Sequence, residues 1–183
     1  MTIDDILTRL RLAQDEIERT KAVEELSQYQ GEQVIWALID ALGDNDQLVQ
    51  VAAADVLKKY RPDPAPYLRV ALRDTRPLVR WGVAELLAYY ASAETEAALR
   101  SALADQDPSV RGAAARSLRS MVTESSTVIE LRKLLQDLAP FPRYQALLTM
   151  RAFDPELTDE AAIIKRDLDS NDPPTCVAAI HFI

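Results

Sequence analysis

Histidine and cysteine are almost missing from this chain of 183 residues, which has one of each, and glycine occurs only 4 times. A lone cysteine forbids an intramolecular disulfide, and one histidine with one cysteine cannot build a zinc site of the common Cys/His kind. So few glycines leave little material for phosphate-cradling loops. The single histidine, His181, has no Ser/His/Asp set to join, and no Gly-x-Ser-x-Gly is present. The expectation is a protein without catalytic, cofactor or metal residues, and not an enzyme. Long apolar runs are missing too: nothing approaches the roughly 18 consecutive apolar residues of a membrane span. Asp4, Asp5, Asp15, Glu16 and Glu18 interrupt the N-terminal stretch, which therefore lacks the basic start of a signal peptide. A cytoplasmic location is expected, and the single Cys176 suits a reducing compartment. Basic residues are in deficit, 21 against 29 acids, for a net charge of −8. Polyphosphate affinity is supplied by Lys and Arg, so nucleic acid is disfavoured as a partner.

What is present is a folding-competent balance, 48% apolar and 27% charged, arranged with a period. Ala41-Leu42-Gly43-Asp44, Ala71-Leu72-Arg73-Asp74 and Ala102-Leu103-Ala104-Asp105 are each followed by Leu48-Val49-Gln50, Leu78-Val79-Arg80 or Ser109-Val110-Arg111. A fainter copy, Leu135-Gln136-Asp137 with Arg143, brings the successive spacings to 30, 31 and 32 residues. In a fifth copy Ser170 and Cys176 stand in the Asp and Arg places, and upstream Arg19, Ala22, Leu26 and Tyr29 match Gln50, Ala53, Leu57 and Tyr60. Such a period signals stacked supersecondary units. Each unit reads as two helices, the second opened by a capping acid and a proline in Asp107-Pro108 and Asp172-Pro173. Asp46 is placed to cap in the same way. Val110, Ala113, Ala114 and Leu118 make one apolar stripe, kept thin by alanines so that neighbouring helices approach closely. The chain divides into a capping unit (1–30), regular repeats (31–60, 61–90 and 91–121), a degenerate repeat (122–153) and an incomplete last one (154–183), read as a single domain.

Ala-Leu-x-Asp followed by Val-Arg-x-x-Ala-Ala-x-x-Leu, clearest from Ala102 to Leu118, resembles the HEAT repeat, in particular the phycobilisome-lyase HEAT-like family. The resemblance implies an all-α, right-handed α-solenoid of about five two-helix repeats. It leaves function open, since HEAT families include adaptors, transport receptors, lyase subunits, a DNA glycosylase group and metal-dependent hydroxylases. HEAT hydroxylases use paired His-Glu motifs for iron, whereas His181 here precedes Phe182. The glycosylase reading needs a basic groove and ranks last.

Two sets of residues stand out. Asp74 with Arg80, Asp105 with Arg111 and Asp137 with Arg143 resemble the ladder in which an arginine bridges the turn acid of its own or a neighbouring unit. Gln50 and Cys176 interrupt it. The second set faces away from the apolar stripe on the second helices, which line the concave side of a HEAT solenoid: Trp81 and Tyr144 as anchors, with Glu85, Arg116, Arg119 and Arg151 around them and Gly112 leaving room. Large aromatics and arginines concentrate binding energy at protein interfaces. Tyr60 and Tyr90 are expected to pack at unit ends, Trp36 in the core, and Phe141 as a wedge in the irregular fourth unit. Residues 1–60 carry 12 acids and 6 bases, residues 61–119 carry 7 and 9, and residues 120–183 carry 10 and 6. A slightly basic, Trp-bearing middle thus lies between acidic ends. The reading is a non-catalytic adaptor that binds another protein. The alternatives are a subunit or chaperone of a bilin lyase system, or an acidic inhibitor of a basic toxin. Val177, Ile180 and Ile183 are expected to be partly exposed, which raises self-association through the last unit.

Overall fold

The structure is a computed structural model whose backbone is described over residues 2–61, 63–153 and 159–182. Residues 154–158, at the expected start of the last repeat, and Ile183 lie outside the described residues. Twelve α-helices and no strand are found among the described residues. They divide into two compact units, Met1–Tyr90 and Ala91–Ile183.

In the first unit the pairs are α1 (Ile3–Leu12) with α2 (Glu16–Leu26), α3 (Glu32–Ala41) with α4 (Gln47–Lys59), and α5 (Ala65–Ala71) with α6 (Pro77–Leu87). The second helices stack, α2 on α4 and α4 on α6, while α3 packs on α5 in the first-helix layer. The second unit repeats the plan with α7 (Ala93–Ala102), α8 (Pro108–Leu118), α9 (Ser125–Leu134), α10 (Pro140–Met150), α11 (Asp159–Leu168) and α12 (Pro173–Phe182). Here α8, α10 and α12 stack in series, and α7 lies on α9.

Local sequence sets these boundaries. Asp15, Asp46 and Asp107 each accept the backbone N–H two residues on, at 2.8 Å, which satisfies a donor the helix start leaves unpaired. Pro77, Pro108, Pro140 and Pro173 open their helices, where a missing N–H costs nothing. The stripe then buries the same places in every pair. Ala22, Ala53, Val83, Ala114, Ala146 and Ala179 are fully buried, and so are Leu26, Leu57, Leu87, Leu118 and Met150 seen one turn further along. Small residues in the first row bring the second helices together, and large ones in the second fill the space behind. Tyr60 and Tyr90 fix pair ends, their hydroxyls donating to the Gly31 carbonyl at 3.3 Å and the Leu57 carbonyl at 2.7 Å.

Candidate functional site: rungs and the second-helix surfaces

Arg19, Arg111 and Arg143 each work in two directions. Arg19 Nε and Nη2 donate to both oxygens of Asp44, in the next pair, at 2.8 and 2.9 Å. Arg111 treats Asp137 likewise at 2.6 and 2.8 Å. The remaining nitrogen turns to the arginine's own pair: Arg19 Nη1 donates to the carbonyls of Ala13 and Gln14, and Arg111 Nη1 to those of Asp105 and Gln106. Arg80 Nη1 makes the same own-pair contacts with the Asp74 and Thr75 carbonyls. Each acid also shapes its own turn, with Asp44, Asp74, Asp105 and Asp137 accepting the N–H two residues on at 2.8 to 2.9 Å. Burial pushes the Asp44 and Asp137 carboxyls up, but the arginine forks and backbone N–H groups outweigh it and hold both below the usual carboxylate range.

Where a rung residue is missing, a neighbour takes over half its work. Gln50 keeps the own-pair contact, its Nε2 donating to the Asp44 carbonyl at 2.6 Å, but sends no charge forward. Asp74 is instead clamped by Arg76 at 3.0 Å through Nε and Nη2, and Arg76 Nη1 reaches back to Asp40 at 2.7 Å. At the other gap Cys176 Sγ contacts the Ser170 carbonyl at 2.9 Å, the place where an arginine would donate. Ser170 is too short to receive Arg143, so Arg143 donates to Asp167, one helical turn earlier, at 2.9 and 2.6 Å. Both side chains of this pair are nearly sealed, at 4% and 3% exposure. The Asp167 carboxylate also accepts from Tyr144 Oη at 2.9 Å and Arg166 Nε at 3.1 Å. Burial opposes its charge, but Arg143, Tyr144 and Arg166 together hold its carboxyl low. Asp167 occupies a column filled elsewhere by Ala41, Ala71, Ala102 and Leu134, and an acid in an apolar column was its signal.

A second buried carboxylate joins neighbouring pairs of the second unit. Glu96 of α7 is 1% exposed. It accepts from Thr123 N and Oγ1, Glu124 N and Thr127 Oγ1 at 2.7 to 3.0 Å. It therefore caps α9, whose own N-cap residue Glu124 makes no side-chain cap. Burial raises its carboxyl, but the two threonine hydroxyls and two N–H groups win and leave it below its usual range. Its partners lie in the next repeat, so no local spacing marks the pairing.

The expected interface residues fall into different environments. Trp81 and Glu85 lie on α6, each half-buried. Arg116 of α8, Arg119 just after it and Arg151 after α10 are exposed. Tyr144 corrects the expectation: it is 5% exposed with its hydroxyl spent on Asp167, so it belongs to the buried rung and is no surface anchor. Gly112 leaves no room either, because the Phe141 ring stands where its Cβ would be, at 2.2 Å. Trp36, expected in the core, is 37% exposed. Its indole N–H donates to Glu32 and its ring meets Tyr67 edge-on at 5.8 Å. The first unit also holds a cleft of about 470 Å³ lined by Glu24, Ser27, Tyr29, Asp55, Lys59 and Tyr60, among others. Among the described residues no three His, Cys, Asp or Glu side chains are grouped to hold a metal, and no helix is long and apolar enough to cross a membrane.

Stacked helix pairs joined by an Arg–Asp rung define an all-α solenoid repeat protein. Residues 65–151 match the model of the HEAT repeats. That stretch, just under half of the chain, carries HEAT repeats. It is similar to the complex of CpcE and CpcF of phycocyanin lyase from Nostoc sp. PCC7120, with a TM-score of 0.57 and 19% identity, over 100% of this chain and 76% of that one. An engineered protein aligns at a TM-score of 0.47 and 19% identity over 100% and 95% of the two chains. A designed armadillo repeat protein aligns at 0.44 and 16% over 99% and 98%. No curated protein matches the sequence.

Proposed function

We propose that this chain is a non-catalytic, cytoplasmic scaffold that binds another protein through the exposed faces of its second helices. The observation that carries this reading is the exposure of three arginines, Arg116, Arg119 and Arg151, at the surface of the second unit. In the first unit the corresponding face carries Trp81 with Glu85, and the acids Glu24 and Asp55. Half-buried Trp81 supplies apolar area, and the charges set on-rate and selectivity. The test is affinity capture from the native source with wild type, Trp81→Ala and Arg116→Glu/Arg119→Glu as bait, identified by mass spectrometry. One partner is expected to be retained by wild type, lost at least tenfold with either variant, and released by salt. Equal recovery by all three baits overturns the reading, provided thermal melts show them folded. A place in a bilin-attachment system is the second reading, favoured by the Ala102–Leu118 signature. Visible absorbance after co-expression with bilin and an antenna protein would select it.

A further inference from the structure

The first-helix layer of the first unit carries an aromatic pair that neither the core nor the second-helix face uses. Trp36 stands in an outward column of the repeat, where the other first helices have Pro66, Ala97, Ile129 and Ala162, none of them buried. The ring is nevertheless held in one place. Its N–H donates to Glu32 one turn earlier at 3.1 Å, and Tyr67 of α5 braces it edge-on. Val70, one turn beyond Tyr67, is 60% exposed and extends the apolar surface. A ring fixed before a partner arrives loses little freedom on binding, and tryptophan is prominent among the residues that concentrate interface energy.

Beside this ring lies a groove of about 450 Å³, lined by Leu7, Leu10 and Arg11 of α1 and by Trp36, Ala37 and Asp40 of α3. It opens because α1 packs chiefly on α2, while α3 packs on α5 to its other side. Ala37 widens it further, putting a methyl group where the next repeat has Tyr67. Leu7 and Leu10 are buried and give an apolar floor, so the groove has the size and lining of a ligand pocket, with few polar groups at its edge. Its two charged residues differ. Asp40 is already matched, since Arg76 Nη1 donates to it at 2.7 Å, whereas Arg11 is exposed and makes no ion pair among the described residues. The unmatched charge at the groove is therefore a guanidinium, whose planar fork suits a carboxylate.

We propose that this groove is a docking site for a short acidic segment of another protein. One large apolar side chain of the segment fills the space between α1 and α3 against the Trp36 ring, and a neighbouring Asp or Glu pairs with Arg11. A basic segment is opposed, because it would set its cation against Arg11 while Asp40 is taken by Arg76. The site lies on the first-helix layer and shares no residue with the second-helix face, so the two are independent.

The test is a phage library of random short peptides selected on the immobilised chain, with the selected peptides synthesised and titrated by fluorescence anisotropy. They are expected to carry a large apolar residue close to Asp or Glu, and to lose at least tenfold in affinity with Trp36→Ala, with Arg11→Glu and with Ala37→Leu, which fills the groove. Thermal melts check that each variant is folded. Trp81→Ala and Val51→Glu, on second helices of the same unit, are expected to bind as wild type does. Selection of no peptide overturns the proposal, as do selected peptides without an acid, or binding that survives both Arg11→Glu and Ala37→Leu. Peptides weakened by Trp81→Ala and untouched by Ala37→Leu would count for the second-helix face and against this groove.

Discussion

Gly112 and Phe141 form a lock between two second helices that one methyl group tests. A Cβ at Gly112 would stand 2.2 Å from the ring, so Gly112→Ala is expected to cost about 1–3 kcal/mol through overpacking. In a Phe141→Ala background the obstacle is gone, and the same change is expected to be neutral or to stabilise by about 0.5–1 kcal/mol, the usual preference for alanine over glycine within a helix. Thermal or urea melts of the four-member cycle read this reversal of sign; parallel effects in both backgrounds would refute the lock. Residue-scale roles were unevenly legible. The arginine forks could be anticipated because their residue types recur at fixed places. The fate of Tyr144 could not, because its burial depends on Asp167 replacing a carboxylate that Ser170 cannot supply.

Among the elements, α9 shows how one helix supplies another's cap. Glu124 makes no side-chain cap of its own, and Glu96 from α7 instead holds the turn into α9 through the N–H groups of Thr123 and Glu124 and the hydroxyls of Thr123 and Thr127. Glu96→Gln retains the shape but replaces one acceptor oxygen by a donor aimed at donors. A loss of about 1–3 kcal/mol in unfolding free energy is expected, together with faster amide exchange at Thr123 and Glu124; unchanged exchange there would show that the cap is dispensable. Helix starts were readable from Asp-Pro and Asp-x pairs because the capping chemistry is local. This cap was not read, because its two halves sit in different repeats and neither is unusual alone.

For the whole molecule, the lowered carboxyls set the direction of the pH response. Asp44, Asp137, Asp167 and Glu96 all have folded-state values below their unfolded ones, so the unfolded chain takes up protons first as pH falls. Their contribution is complete above the unfolded carboxylate pKa of about 4 and is lost as pH drops through the folded values. Melting temperature is expected to fall steeply below about pH 4. Asp167→Asn, less stable at neutral pH, should flatten that fall; an equally steep acid loss would place the sensitivity elsewhere. The architecture was legible because its period, stripe and caps all point to stacked helix pairs. The surface that binds was less so, since Trp36 and Tyr144 exchanged expected environments and both exchanges depend on packing between pairs.

The two-directional arginine also bears on how such a chain changes over time. One bond set holds the arginine to its own turn and the other reaches the next pair, so losing one residue removes half a connection and leaves the fold a starting point for repair. Gln50 with Arg76, and Ser170 with Asp167, are two places in one chain where a neighbouring side chain makes up the missing half. A design with that redundancy lets individual repeats drift in sequence, one rung at a time, while the stack persists.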